Sequence, residues 1–253
     1  MPSFDYLTMK KKHPDWVWPR SDTHMVIGVP GSMECYKTWV EPGNSFSPGI
    51  SSFGVSIWIR DMETGKLYMP ETMPLEAFSW KFREAKFPVV ISDYECDDVH
   101  VQSRLFTWEE QPHVYSDTLR ILLRAENSKK LTVYLVVRSY GACGGYIETA
   151  GEDGDGKIIQ VNDFPLIHGL QRFDAFAAVD CYGEDRDIGD SIVHNIWPDT
   201  RRANDKTGWA SLAAAYQVEL SPKEEKELSW VFPIYLPKTI ASHLVEYTAP
   251  LHI

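Results

Sequence analysis

Hydrophobic positions along this chain recur mainly at every second residue. Phe53, Val55, Ile57 and Ile59 alternate with Gly54, Ser56, Trp58 and Arg60, the period that sends successive side chains to opposite faces of a strand. Asp61-Met62-Glu63-Thr64-Gly65 is a turn and Lys66 to Met69 returns, which predicts a hairpin. Pro70 to Phe82 reads as a loop with a short helical turn. Phe87 to Glu95 and Val99 to Phe106 are strands around the turn Cys96-Asp97-Asp98; in the second, Val99, Val101 and Leu105 share one face and His100, Gln102 and Arg104 the other. The clearest pair comes next. Leu119, Ile121, Leu123 and Ala125 form one alternating set, Leu131, Val133, Leu135 and Val137 the other, with a polar turn over Glu126 to Lys130 between them. A one-residue slip would turn each apolar set outward, so the register is strongly specified.

Lys157 to Val161 and Ala175 to Tyr182 are further candidate strands. Trp209 to Leu220 alternates, although its alanines leave a helix open. Leu228, Trp230, Phe232, Ile234 and Leu236 alternate again, and Pro233 marks that run as an edge strand or a bulge. The first fifty residues are broken by Pro2, Pro14, Pro19, Pro30, Pro42 and Pro48 and read as irregular, with Met25 to Val29 able to pair at an edge. Gly141 to Gly156, Glu184 to Asp190 and Ile196 to Lys206 read as loops. Lys238 to Tyr247, with Ile240, Leu244 and Tyr247 at helical spacing, predicts a short helix. Roughly ten strands joined by polar turns imply an all-β fold, a large two-sheet antiparallel β-sandwich (supersandwich-like) with a short C-terminal helix. The expected organisation is one domain: an irregular segment over 1–50, the sandwich over 51–237, and the start of a linker helix over 238–253.

Composition narrows the partners. At 43% hydrophobic and 24% charged, the 253 residues are those of a folded chain rather than a disordered one. A net charge of −11 opposes a nucleic-acid partner, which needs clustered Lys and Arg; the run Lys10-Lys11-Lys12 is short and reads as solvated. No apolar stretch is long enough to span a membrane. Cys35, Cys96, Cys143 and Cys181 show no close C-x₂₋₄-C pair, which argues against zinc. Met1 to Lys12 lacks the apolar core of a signal peptide, so free thiols and a cytoplasmic location are expected.

The motifs exclude more than they assign. Gly151-Glu152-Asp153-Gly154-Asp155-Gly156 has the alternate carboxylates of a calcium loop, but position 151 is Gly and the closing Glu is missing. Glu184, Asp185, Asp187 and Asp190 read as a solvated acidic loop. No metal and no cofactor is therefore expected. G-x-S-x-G, G-x-G-x-x-G, a P-loop and H-E-x-x-H are all missing. Cys143 precedes Gly144-Gly145 without a cysteine-protease signature. His100 and His113 read as exposed or hydrogen-bonded side chains.

Aromatic residues, 13% of the chain, are its one unusual feature. Sugar recognition needs exposed aromatic faces with polar hydrogen-bonders on loops. Trp16, Trp18 and Trp39 lie in the irregular first fifty residues. Trp197 and Trp209 flank Asp199, Arg201, Arg202, Asn204 and Asp205. The candidate carbohydrate-binding residues are Trp197, Arg201, Arg202, Trp209 and Trp39.

Two segments carry a resemblance. Ser45-Phe46-Ser47-Pro48-Gly49-Ile50-Ser51-Ser52-Phe53-Gly54-Val55-Ser56-Ile57-Trp58 leads into a hairpin, and a Ser-Pro-Lys-Glu-Glu turn leads to Leu228-Ser229-Trp230-Val231-Phe232-Pro233-Ile234-Tyr235-Leu236 and then a helix. This layout resembles the N-terminal β-sandwich, or supersandwich, of glycoside hydrolases and phosphorylases whose catalytic domain is an α/α helical barrel. The resemblance implies a non-catalytic sandwich domain or subunit of a carbohydrate-active enzyme, with an oligosaccharide or polysaccharide as ligand. Its partner would be a helical-barrel domain that bears the general acid and that this chain lacks. Two other readings stand beside it, a free-standing carbohydrate-binding module or lectin and a mutarotase-like sugar epimerase. Long edge strands and an uncovered docking face could also support a homo-oligomer.

Overall fold

A computed structural model describes residues 6–20, 22–29, 31–33, 36–50, 52–84, 87–112, 114–162, 164–184 and 186–234. Its strands in chain order are β1 (Met25–Ile27), β2 (Thr38–Val40), β3 (Phe46–Ser47), β4 (Gly54–Asp61), β5 (Leu67–Tyr68), β6 (Ser79–Glu84), β7 (Phe87–Cys96), β8 (Val99–Gln111), β9 (Val114–Ala125), β10 (Lys129–Arg138), β11 (Thr149–Glu152), β12 (Ile158–Val161), β13 (Phe164–Gly169), β14 (Ala175–Val179), β15 (Arg202–Asn204), β16 (Ser211–Leu220) and β17 (Glu225–Pro233). Among the described residues three short α-helices accompany them: α1 (Tyr6–Lys12), α2 (Cys181–Glu184) and α3 (Ile188–Val193). The expected helix over 238–253 lies outside the described residues.

The strands form two antiparallel sheets. The eight-stranded sheet runs β1-β2-β3-β4-β10-β16-β14, with β5 paired to β4; the nine-stranded sheet runs β15-β11-β12-β13-β17-β9-β8-β7-β6. Alternation explains the burial. Ile57 and Ile59 of β4 and Val133 and Leu135 of β10 meet Val101 and Leu105 of β8 and Leu119, Ile121 and Leu123 of β9 in one core. Aromatic and polar contacts stitch the layers together. Phe46 meets Phe232 edge-on at 4.9 Å, and the Trp230 indole N–H donates to the Tyr216 hydroxyl at 2.8 Å. At one end, Lys129 reaches Asp61 of β4 at 3.0 Å and Asp98 of the β7–β8 turn at 2.9 Å.

The tertiary structure departs from the local pattern at several points. The clearest alternating pair is not a hairpin. β9 pairs with β8 and β17, whereas β10 pairs with β4 and β16. Both sets are buried because they face each other across the core, so the polar turn between them crosses from sheet to sheet. β16 and β17 are divided in the same way. β16 is a strand despite its alanines; Ala213 and Ala215 lie flat beneath α3 and its neighbours on the outward face. β17 sits inside its sheet, and Pro233 is accommodated because β13 pairs only with Trp230 and Val231. The first fifty residues contribute β1, β2 and β3 to the eight-stranded sheet. The segments read as loops hold β11 and β15, and residues 184–190 hold the start of α3. One close approach depends on glycine. A Cβ on Gly54 would stand 2.4 Å from the Tyr140 carbonyl oxygen.

Candidate functional site

Trp197, Arg201 and Arg202 lie on one stretch that leaves the outward face of the eight-stranded sheet and ends in β15 of the other sheet. Its course is set by α3. Asp187 caps this helix by accepting from the Asp190 N–H at 2.6 Å. At its far end, Asn195 takes the left-handed conformation (φ 56°), and the Ile196 N–H returns to the Ser191 carbonyl at 2.8 Å while Asn195 bonds Ile192. This Schellman-type termination folds the chain back on the sheet. Trp197 then sits 6.0 Å from the Tyr134 ring and remains 38% exposed. Thr200 clips the stretch to β14 through its hydroxyl and carbonyl, both bonded to Ala178.

Arg201 is exposed, and its Nε and Nη2 both donate to Glu152 Oε1 at 2.8 Å. Arg202 is exposed at the start of β15 with its stem over Gly151. Tyr182, which the sequence analysis did not single out, joins this edge. Its N–H donates to Asp205, directly after β15, and its side chain is 76% exposed. The stretch thus offers one exposed aromatic ring and two exposed guanidiniums, with the Tyr182 ring at its β15 end, groups that stack on and hydrogen-bond to sugar rings.

The other candidates are placed elsewhere. Trp209 is buried, 5.8 Å from Tyr140, because backbone bonds from Ile147 to Gly208 and from Ala210 to Ile147 draw its segment inside. Trp16 and Trp18 are buried in the same cluster. Trp39 is half-buried on β2 beside His24. Strands β3 and β4 separate it from β10, whose Tyr134 lies against Trp197, about 14 Å at the usual strand spacing. Trp209 is closed off from solvent and Trp39 stands three strands away, so neither adjoins Trp197.

Sequence reasoning also missed a buried charged cluster at the N-terminal end of α3. Arg138, Glu71 and Asp187 are all buried. The Arg138 guanidinium lies 5.0 Å from the Trp58 ring and 4.6 Å from that of Tyr140. It donates to Glu71 at 3.2 Å and to the Val17 carbonyl, and stands 3.7 Å from Asp187. Ser56 and the Trp58 indole N–H also donate to Glu71, and the Tyr140 hydroxyl donates to Asp187. Burial pushes the Asp187 carboxyl up; Arg138 and the Tyr140 hydrogen bond only partly oppose this. The cluster is sealed under α3 and residues 16–18, so it supports the surface and cannot meet a ligand. Arg138 reads as solvent-facing in the strand pattern; only α3 packing on that face buries it.

Two histidines meet carboxylates. His100 contacts Glu95 at 2.8 Å and Asp93 at 3.6 Å on the outward face of the nine-stranded sheet, and His194 contacts Asp190 at 3.2 Å; both histidines are exposed. His113 lies outside the described residues, as does Cys35; Cys96 and Cys181 are buried thiols in no disulfide, and the Cys143 N–H donates to the Ser47 hydroxyl at 3.1 Å. Among the described residues no group of three or more His, Cys, Asp or Glu could hold a metal, and no helix is long and apolar enough to cross a membrane.

No family model matches the sequence. No curated protein matches it. Solved structures of similar shape include a provisionally assigned kojibiose phosphorylase from the human microbiome (8% identity, TM-score 0.40, 90% of this chain and 28% of that one). They also include a bacterial glucoamylase complexed with acarbose (10%, 0.49, 89% and 37%) and a polysaccharide lyase (11%, 0.40, 88% and 34%). The chain spans about a third of the length of these structures.

Proposed function

We propose that this chain is a non-catalytic β-sandwich domain or subunit of a carbohydrate-active enzyme and binds an oligosaccharide or polysaccharide along the Trp197–Arg202 stretch. The observation that carries the reading is Trp197, a large ring left 38% exposed although Tyr134 and the α3 termination hold it in place. A fixed, exposed aromatic loses little conformational freedom on stacking against a sugar. Further along the same stretch, Arg202 and the remaining Arg201 nitrogen supply directional donors. The helical-barrel partner belongs to this reading as the source of the catalytic acid.

The test is calorimetry of the chain with a panel of neutral oligosaccharides, against Trp197→Ala and Arg202→Ala. Loss of at least tenfold in affinity on Trp197→Ala is expected, since removing a stacked ring costs on the order of 1.4 kcal/mol or more. Unchanged affinity would remove the site, and robust glycoside turnover by the chain alone would remove the non-catalytic role.

A further inference from the structure

We propose that the outward face of the nine-stranded sheet is a second binding surface, a platform for an extended anionic polysaccharide whose rings carry carboxylate or sulfate groups. The pairing register places the groups concerned. One row across the strands is Lys81–Ile91–Arg104–Arg120–Ser229. The next is Val89–Phe106–Thr118–Val231, and Trp108 follows on β8 opposite Ser116. Lys81, Arg104, Arg120 and Trp108 are exposed.

Three features mark this as a prepared surface. Arg104 and Arg120 stand directly opposite each other on neighbouring strands, a placement of like charges that destabilises a sheet. Among the described residues, the ion pairs of this face lie further along the strands, joining His100 to Asp93 and Glu95, and Arg124 to Glu126 and Glu225. Lys81, Arg104 and Arg120 take no part in them, although the chain as a whole carries a net −11. The guanidiniums are also oriented. Asp93 accepts from Gln102 at 2.7 Å and Gln102 accepts from Arg104 Nε at 2.8 Å, while Arg120 lies 5.9 Å from the Phe106 ring. Finally, the Trp108 indole N–H donates to Thr118 at 3.0 Å, which holds that ring on the same face.

The occupant follows from charge and spacing. From Lys81 to Arg120 the row crosses three strand spacings, about 14 Å, and each spacing approximates the length of one pyranose unit. A glycan laid across the strands would set an anionic group against each cation, with charge-assisted hydrogen bonds to both guanidiniums. Its ring faces would meet Phe106 and Trp108.

Affinity electrophoresis through gels containing polygalacturonate, chondroitin sulfate or neutral hydroxyethylcellulose tests this, with Trp fluorescence titration using oligogalacturonate. Retardation is expected to be stronger in an anionic gel than in the neutral one, and the excess should weaken as salt rises. Arg104→Ser/Arg120→Ser should weaken binding at least tenfold while leaving the urea midpoint at or above the parent's, because the opposed like charges are removed. No retardation in either anionic gel, or undiminished retardation of the double variant, would overturn the proposal. So would equally tight binding of a single-stranded oligonucleotide, or a retained acidic protein that the glycans fail to displace. Loss that follows Trp197 instead of the arginines would overturn it while leaving the Trp197 surface standing.

Discussion

Asp117 offers a prediction with a defined sign. It sits on β9, wholly buried, and its two oxygens accept from Thr38 of the opposite sheet at 2.5 Å and from Thr107 of β8 at 2.6 Å. Burial pushes its carboxyl up from 3.8 to about 7, and the two hydroxyl hydrogen bonds only partly offset this. Folded Asp117 therefore keeps a proton that the unfolded chain releases. Between about pH 4 and pH 7 the native state binds the extra proton, so this group's contribution to stability falls as pH rises and levels off above pH 7. The interval from 3.8 to about 7 amounts to roughly 4 kcal/mol at 1.36 kcal/mol per unit. Asp117→Asn isolates it, because an amide of the same shape can still bond both hydroxyls and does not titrate. Urea unfolding followed by Trp fluorescence, from pH 4.5 to 8.5, gives the stability difference between parent and variant. The variant should gain on the parent by about 2–4 kcal/mol over that range. A difference that stays level within about 0.5 kcal/mol across the range would refute the reasoning, since the carboxyl would then be ionised in the core throughout.

The buried cluster behaves differently. Arg138→Met should cost about 3–5 kcal/mol in urea unfolding by stranding two buried carboxylates, and adding Glu71→Gln and Asp187→Asn should restore most of it. Gly189→Ala places a Cβ 2.8 Å from the Trp58 ring and 3.1 Å from Arg138; a loss of about 1–3 kcal/mol is expected, read as a lower melting temperature. Lys129→Met acts on the acid limb. Desolvation, the largest influence on Asp61, pushes its carboxyl up, but hydrogen bonds from Thr64, Lys129 and Glu63 together hold it below its usual range, and Lys129 chiefly lowers Asp98. That stability is lost as pH falls, so without Lys129 the acid-unfolding midpoint should move to higher pH.

Much of the architecture was legible in the chain. Val55-Ile57-Ile59, Leu119-Ile121-Leu123 and Leu131-Val133-Leu135 specify strands with one buried face, because a strand's side chains alternate whatever it pairs with. Two layers follow, since each such face must be covered. Pairing was not legible. The turns after β9 and β16 look like hairpin turns, yet both cross between sheets, and only the packing of opposed faces selects the crossing. The short strands β3, β11 and β15 carry too few residues to show a period.

The candidate surface divides in the same way. Trp197 and Arg202 are close in sequence, and the chain alone keeps them together. Trp209 and Trp39 carry the same residue type at comparable positions, but backbone bonding draws one into the interior and sheet order sets the other three strands away. Tyr182 joins the edge only through a hydrogen bond to Asp205. Arg138 and Asp187 read as solvated charges, and α3 makes them a buried pair. Alternation is a property of one strand and can be read from it. Exposure belongs to whatever lies on top, and only the folded chain decides that.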